Sequence, residues 1–188
     1  MPEITETLYV AGPREWRSWL QKNHDQKQEI WLVLPKKTSG RPRISYNDAV
    51  EQALCFGWID SIQKTLDEEN TVQRFTPRKI KGQYSQPNLE RLRHLAQTGQ
   101  LLPSVLQEVE SELQKPFVFP DDIMAALKKH PLAYKNFQAF SPTYQRIRVA
   151  YVDGARKRPE EFHKRLQNFI AANEQNKQIG FGGIDKYY

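Results

Sequence analysis

Apolar residues at helical spacing follow a polar lead at the start of the chain. Gly12 and Pro13 are residue types typical of a helix N-cap and of the first helical position. Apolar side chains then recur every three or four residues between Trp16 and Leu20, which is the spacing of one helix face. We therefore expect a first amphipathic helix that ends near Asn23.

The next segment has the pattern of a buried strand. The run from Glu29 to Pro35 is apolar without polar alternation, which indicates a short strand covered on both faces. Pro35 is expected to end it, because proline has no backbone donor for a sheet. The following segment, Lys36 to Arg43, is basic and has the composition of a loop. We expect the strand to lie in the centre of a sheet.

A second helix and a hairpin are predicted after this loop. Ser45 and Asp48 resemble a capping box at the start of the helix, and Gly57 is suited to close it in a left-handed conformation. Residues 58–66 and 71–76 then have the pattern of two strands joined by a short acidic turn. The chain therefore turns back on itself directly after the second helix.

Helical patterns dominate the second half of the chain. A stripe from Leu89 to Ala96 ends at Gly99. Further apolar stripes at helical spacing follow five prolines, which are Pro103, Pro120, Pro131, Pro142 and Pro159. The last residues are rich in glycine and aromatic side chains, and we expect a tail that either frays or docks through Phe181, Tyr187 and Tyr188.

These patterns together predict an α+β fold. Residues 1–82 are expected to form an α/β lobe, built as helix, strand, helix and hairpin around a small and mainly antiparallel sheet. Residues 83–176 are expected to form a helical lobe, and residues 177–188 the tail. No repeat of fixed period is present in the sequence.

Composition favours a folded protein with anionic partners. Hydrophobic residues make up 38% of the 188 residues, which is too high for a disordered chain. The formal net charge of +6 favours nucleic acid, phosphate-bearing ligands or an anionic surface as partners. No apolar run is long enough to span a bilayer, and the N-terminus lacks the pattern of a signal peptide. With a single cysteine, Cys55, the cytoplasm is the expected compartment.

No pattern of catalytic or metal-binding residues is evident in the sequence. The four histidines are scattered, without the spacing of a metal site, so neither a metal nor a cofactor is predicted. Cys55 lies among apolar neighbours and is expected to be a buried, unreactive core residue. The run from Gly180 to Gly183 has no following helix that would help it to bind phosphate. Whether the protein is an enzyme is left open.

Positive charge is concentrated in two segments. The first, residues 74–93, carries a net charge of +5 from Arg74, Arg78, Lys79, Lys81, Arg91 and Arg93 against Glu90. The second runs from Arg146 to Arg165 and includes Arg148, Arg156, Lys157, Arg158 and Lys164. Basic residues interleaved with aromatic ones are typical of phosphate or single-stranded nucleic-acid binding. The alternative is a solvated surface with structural ion pairs.

Three motifs resemble the bacteriocin-protection family, also described as YdeI or OmpD-associated. They are Gln52 to Ser61, then Arg74 to Lys79, then Tyr84 to Asn88, and a weaker similarity extends to the segment around Arg165. The chain departs from the family pattern at Tyr84, where family members usually have Trp. The resemblance implies an association with resistance to antimicrobial peptides or bacteriocins, without a settled reaction.

The hairpin predicts where a ligand site would form. A turn at Glu68 and Glu69 would place Asp60 opposite Pro77 and therefore beside Arg78. We predict a ligand site at this junction, formed by Trp58, Asp60, Arg74, Arg78, Lys79, Tyr84 and Asn88.

The leading hypothesis is a non-enzymatic stress or envelope-protection protein that binds an anionic small molecule or protein partner through residues 74–93. The first alternative is a small-molecule enzyme that uses Asp60, Arg78 and Tyr84 in a cleft between the lobes. The second alternative is a nucleic-acid-binding protein, whose affinity would fall steeply with salt.

Overall fold

The computed structural model describes residues 2–80, 82–180 and 184–188 and has an α+β fold. A four-stranded sheet is built from β1 (Thr7–Tyr9), β2 (Ile30–Pro35), β3 (Trp58–Thr65) and β4 (Asn70–Pro77), in the order β1-β2-β4-β3. Strand β1 runs parallel to β2, and the other neighbours are antiparallel. The α+β class and the small, mainly antiparallel sheet predicted from the sequence are confirmed.

Strand β2 is the centre of the hydrophobic core. All six of its residues are buried, and it lies between β1 and β4. Trp31 and Val33 pack with Val72 on one face of the sheet. The predicted central strand and its end at Pro35 are confirmed. Strand β1 was not predicted, because its three residues are mostly exposed and too few to show a period.

Two helices pack with this sheet, and residues adjacent to their ends determine where they begin and end. Helix α1 (Pro13–Asn23) and helix α2 (Tyr46–Cys55) have the predicted bounds. The Ser45 hydroxyl accepts a hydrogen bond from the Asp48 backbone N–H at 3.0 Å, which caps α2. Gly57 has a φ of +71°, the left-handed conformation that glycine adopts without steric cost. The sequence located these features because each depends on adjacent residues.

The register of the hairpin differs from the prediction. Asp60 pairs with Phe75, whereas Pro77 pairs with Trp58. Two local features cause the difference. An irregularity interrupts the ladder between Asp60 and Gln63, and the Asp67 carboxylate accepts from the backbone N–H groups of Glu69 and Asn70 to shape the turn. The prediction that Asp60 lies opposite Pro77 is therefore wrong.

Within the described residues, six helices follow the sheet in the sequence. They are α3 (Gln86–Gln97), α4 (Pro103–Gln114), α5 (Asp121–Lys128), α6 (Pro131–Ala139), α7 (Pro142–Asp153) and α8 (Pro159–Glu174). Four of them begin at a predicted proline, and Pro120 is the N-cap of α5. The proline-initiated helices predicted from the sequence are confirmed.

The described chain divides into two compact units. The N-terminal unit comprises Met1–Gln83 and Arg91–Leu113, and the C-terminal unit comprises Tyr84–Glu90 and Gln114–Tyr188. Residues 91–113 therefore belong with the sheet. The backbone N–H of Leu102 donates to the Cys55 carbonyl at 3.1 Å, and Arg17 donates to the Gln100 carbonyl at 3.0 Å, which ties this segment to α1 and α2.

Aromatic rings form the core of the C-terminal unit. Phe137 of α6 and Phe169 of α8 pack edge to face with centroids 5.6 Å apart. Val149 and Val152 of α7 are buried in the same cluster. Their burial supplies the apolar area that holds the short helices together.

The described part of the tail docks onto α7. A 3₁₀ turn, Ile184–Tyr187, is followed by Tyr188, whose ring packs against Tyr144 at 4.9 Å between centroids. Phe181, which was expected to take part in docking, lies outside the described residues. Among the described helices, none has the length and hydropathy that crossing a membrane would require.

The environment of Cys55 gives a first testable prediction. The residue has no exposed surface, and burial raises the pKa of its thiol, so the reactive thiolate is disfavoured. We expect a disulfide reagent at pH 8 to label Cys55 at least about a hundredfold more slowly in the native protein than in denaturant. Equal rates in the two states would contradict the buried position.

Candidate functional site

A buried arginine on helix α7 is the most unusual charged group that the structure describes. Arg148 is only 5% exposed. Its Nη2 donates to the Tyr188 hydroxyl at 2.6 Å, whereas its buried Nε has no hydrogen-bond partner among the described residues. No carboxylate in that part of the chain lies within ion-pair distance of Arg148. Burying a cation without an anion beside it is costly, and this distinguishes Arg148 from the arginines that have carboxylate partners.

Tyr188 does not supply the missing negative charge. Burial raises the pKa of the Tyr188 hydroxyl, although the nearby Arg148 acts in the opposite direction. The hydroxyl is therefore neutral at physiological pH and donates its own proton to the carbonyl of Ile179 at 3.2 Å. Tyr188 and Tyr151 also present their rings to the guanidinium, with centroids 5.7 and 5.6 Å from its central carbon. These contacts hold Arg148 in place without neutralising it.

Arg148 lines a cavity of about 260 Å³ in the C-terminal unit, which we call the Arg148 cavity. Its other lining residues come from α7, α8 and the tail, and they are Tyr151, Val152, Glu161, Lys164, Arg165, Asn168, Phe169 and Ile179. Three cations and one carboxylate give this lining a net charge of +2. The cavity thus combines positive charge with aromatic and aliphatic surface.

Arg165 and Glu161 neutralise one another at the edge of the Arg148 cavity. The Arg165 Nε donates to Glu161 at 2.7 Å, and its Nη1 donates to the Tyr151 carbonyl at 2.9 Å. The hydrogen bond from Arg165 lowers the pKa of Glu161, so this carboxylate stays ionised at neutral pH. Arg148 and the exposed Lys164 therefore remain as the cations that a ligand would meet.

Two further arginines between residues 146 and 165, Arg146 and Arg156, have carboxylate partners. Arg146 forms a two-point ion pair with the buried Glu90, at 2.7 and 2.8 Å. Arg156 contacts Asp122 and Asp153 at the surface. These contacts fit the alternative of structural ion pairs on this segment. Arg148 departs from that alternative because it is buried without a carboxylate.

Two residues of the predicted ligand site have structural contacts. Trp58 is 1% exposed, and its Nε1 donates to the carbonyl of His24 at 3.0 Å. Arg74 forms an ion pair with Glu29, and its Nε donates to that carboxylate at 2.8 Å. Hydrogen bonds from Thr5 and Arg74 lower the pKa of Glu29, which keeps the pair charged. These contacts account for both residues without a ligand.

The remaining predicted site residues are spread over both units. Asp60 accepts a hydrogen bond from the Tyr46 hydroxyl at 2.8 Å, and Arg78 donates through Nη1 to the carbonyl of Gln83 at 2.6 Å. Lys79 is exposed in the N-terminal unit. The other two, Tyr84 and Asn88, are half-buried and belong to the C-terminal unit. Lys81, which belongs to the basic segment 74–93 and not to the predicted site, lies outside the described residues. A ligand role for this set stays a prediction.

Two arginines of the basic segments are buried, although these segments were expected to form a charged surface. Arg91 is 5% exposed and donates from Nε and Nη2 to Asn47 at 3.1 and 2.7 Å. Arg148 lies between Tyr144 and Val152 at steps of four residues, which places it within the apolar stripe of α7. The burial of Arg148 could therefore have been predicted from its spacing to these two apolar residues in the sequence.

Comparison with known proteins assigns the chain to a family. A family model described as a domain of unknown function (DUF8412) matches residues 8–108, which is more than half of the chain. The chain belongs to this family. A second model, described as bacteriocin-protection, YdeI or OmpD-associated, matches residues 116–176 and confirms the family resemblance. The segment 52–88, which carried that resemblance, lies in the range of the first model.

Further comparisons add no relatives. Searches of curated proteins and of solved structures found no match. Within the described ranges, no group of three or more histidine, cysteine or acidic side chains is arranged to hold a metal ion. The candidate site therefore rests on the contacts of Arg148 and on its position within residues 116–176.

Two arginines on helix α7 give a matched stability test. Arg146→Met leaves the Glu90 carboxylate buried without this partner, and we expect a loss of about 3 kcal/mol in the free energy of unfolding. Arg148→Met removes a buried cation that has no carboxylate, so the ligand-free protein should stay within about 1 kcal/mol of wild type. Urea denaturation of both variants measures the difference. A loss for Arg148→Met as large as that for Arg146→Met would show that Arg148 is a structural residue.

Proposed function

We propose that the protein is a non-enzymatic binder of a small anionic ligand, which it holds in the Arg148 cavity. The observation that carries the proposal is the buried Arg148 guanidinium, whose hydrogen-bond partner among the described residues is a neutral hydroxyl. A ligand that brings a negative charge would satisfy the free Nε donor and neutralise the cation. The anionic class of partner expected from the sequence is retained, and we assign it to this cavity.

The chemistry of the lining narrows the ligand class. A guanidinium offers donors in a planar fork that matches a carboxylate or a phosphate group. Lys164 and Asn168 add exposed polar groups, while Tyr151 and Phe169 provide aromatic surface. The ligand that fits is a carboxylate or phosphate attached to a small apolar body.

The lining favours binding over catalysis. The carboxylate of Glu161 is engaged by Arg165, and its lowered pKa makes it a poor proton donor at neutral pH. Arg148 and Lys164 are cations that attract an anion and do not accept protons from it. The ionised Glu161 is the base of this lining, and its lowered pKa and its ion pair with Arg165 weaken it as a proton acceptor. The lining therefore gives the enzyme alternative little support.

The family description suggests the biological setting. The segment matched by the bacteriocin-protection model, residues 116–176, contains Arg148, Lys164 and Arg165. We propose that binding of the anion contributes to a protective or stress-related role of this kind. We also propose a reducing compartment such as the cytoplasm, because Cys55 is a buried free thiol.

Calorimetric titration with defined probes tests the proposal. Inorganic phosphate, phenyl phosphate and benzoate should be titrated into the wild-type protein, and the probes with an aromatic body should bind more tightly than inorganic phosphate. Arg148→Met should raise the Kd of a bound probe by roughly tenfold or more, because a charge-assisted hydrogen bond is lost. Lys164→Gln should raise it less, because Lys164 is exposed.

A matched control separates the site from general charge. Lys157→Gln removes an exposed cation of the same helical region that does not line the cavity, and its Kd should equal that of wild type. Absence of binding by all three probes, or an unchanged Kd in Arg148→Met, would contradict the proposal. Tight, salt-dependent binding of a single-stranded oligonucleotide that survives in Arg148→Met would favour the nucleic-acid alternative.

A further inference from the structure

A second cavity lies in the N-terminal unit and is independent of the Arg148 cavity. Its volume is about 270 Å³, and we call it the Gln73 cavity. Strands β2, β3 and β4, the loop before α2 and the first residue of α2 supply its lining. The lining residues are Leu34, Arg43, Ile44, Tyr46, Gln63, Thr71 and Gln73. Apolar and polar side chains are thus mixed within one small space.

Gln73 is a largely buried polar residue whose side chain lines the cavity. It is 4% exposed, and its backbone pairs with Leu32 of β2 and Gln63 of β3. No hydrogen bond to its side-chain amide is found among the residues that the structure describes. The amide is not among the fully enclosed unpaired atoms, so its donors and its acceptor face the cavity, where a ligand can reach them. A ligand with a neighbouring donor and acceptor would complement this amide.

Arg43 provides a fixed positive charge at the Gln73 cavity. Its Nη1 donates to the carbonyl of Pro35 at 2.9 Å, which anchors the guanidinium beside the end of β2. A guanidinium carries five N–H donors, so this contact leaves donors for an anion. The side chain is exposed and lies at the end of the basic segment Lys36 to Arg43. An anionic group can therefore reach it from solvent.

Tyr46 offers an aromatic surface that its own contacts hold in place. The Tyr46 hydroxyl donates to Asp60 at 2.8 Å. Burial of the hydroxyl is the larger cause that raises the pKa of Tyr46, and this hydrogen bond is the second cause. The hydroxyl therefore stays protonated and keeps the contact at physiological pH. The residue is nevertheless 42% exposed, which leaves ring surface for stacking.

We propose that the Gln73 cavity binds a mononucleotide. Gln73 would pair with the donor and acceptor edge of the base, since a glutamine amide can contact such an edge of adenine at two points. Tyr46 would stack on the base, and Arg43 would hold the phosphate. A mononucleotide has a group that complements each of these residues: a base edge with a donor and an acceptor for Gln73, a planar ring for Tyr46 and a phosphate for Arg43.

Titration of the full chain with AMP tests the proposal. AMP should bind saturably, and both adenosine and ribose 5-phosphate should bind roughly tenfold or more weakly, because each lacks one recognised group. Gln73→Met keeps the side-chain volume but removes the amide, and Arg43→Gln removes the charge. Each should raise the Kd for AMP by roughly tenfold or more.

Two controls separate this site from other charges on the protein. Arg14→Gln removes an exposed arginine of α1, and Arg148→Met removes the key residue of the other cavity. Both should leave the Kd for AMP unchanged. Absence of AMP binding to the wild-type protein, an unchanged Kd in Arg43→Gln, or equal binding of ribose 5-phosphate and AMP would overturn the proposal. Loss of AMP binding in Arg148→Met alone would overturn it as well and would assign the nucleotide to the Arg148 cavity.

Discussion

The burial of the Arg148 guanidinium without a carboxylate is the constraint on which the account of this protein depends. Removing a cation from water is unfavourable unless charge and hydrogen bonds are supplied inside the protein. Here the described residues supply a tyrosine hydroxyl that burial keeps neutral. The docked Tyr188 and the apolar stripe of α7 hold the cation in this position. We propose that an anionic ligand neutralises this cation and accepts from its Nε donor.

Other arginines of the protein have the contacts expected of structural residues. Arg146 is matched to Glu90 and Arg74 to Glu29, in each case by direct ion pairs. Arg91 is buried, yet its guanidinium is held by Asn47. Much of the basic character of the sequence therefore serves the fold, and the net charge of +6 alone does not locate a binding site.

The parts of the fold that depend on neighbouring residues could be predicted from the sequence. The cap at Ser45, the left-handed Gly57 and the proline-initiated helices follow from local preferences. Strand β1 was missed because three largely exposed residues carry no period. The hairpin register was wrong because the turn that Asp67 shapes and the irregularity after Asp60 each shift the pairing by one residue.

The candidate site was harder to predict than the fold, because burial and pairing are long-range properties. Arg74 was assigned to a ligand surface, but its partner Glu29 lies 45 residues away in the sequence. Arg148 was counted within a basic segment, although its place between Tyr144 and Val152 on one helix face indicated burial. Gln73 gave no signal at all, since a glutamine in a strand is equally compatible with an exposed position.

Binding of an anion at Arg148 can be observed at its Nε–H group during a titration. Proton–nitrogen correlation spectra resolve arginine Nε–H signals, and the signal that disappears in Arg148→Met identifies the residue. We expect phenyl phosphate to shift this signal saturably, while the signal of Arg146, whose Nε is hydrogen-bonded to Glu90, stays unchanged. An unshifted Arg148 signal at concentrations that move the signals of exposed arginines would contradict the account.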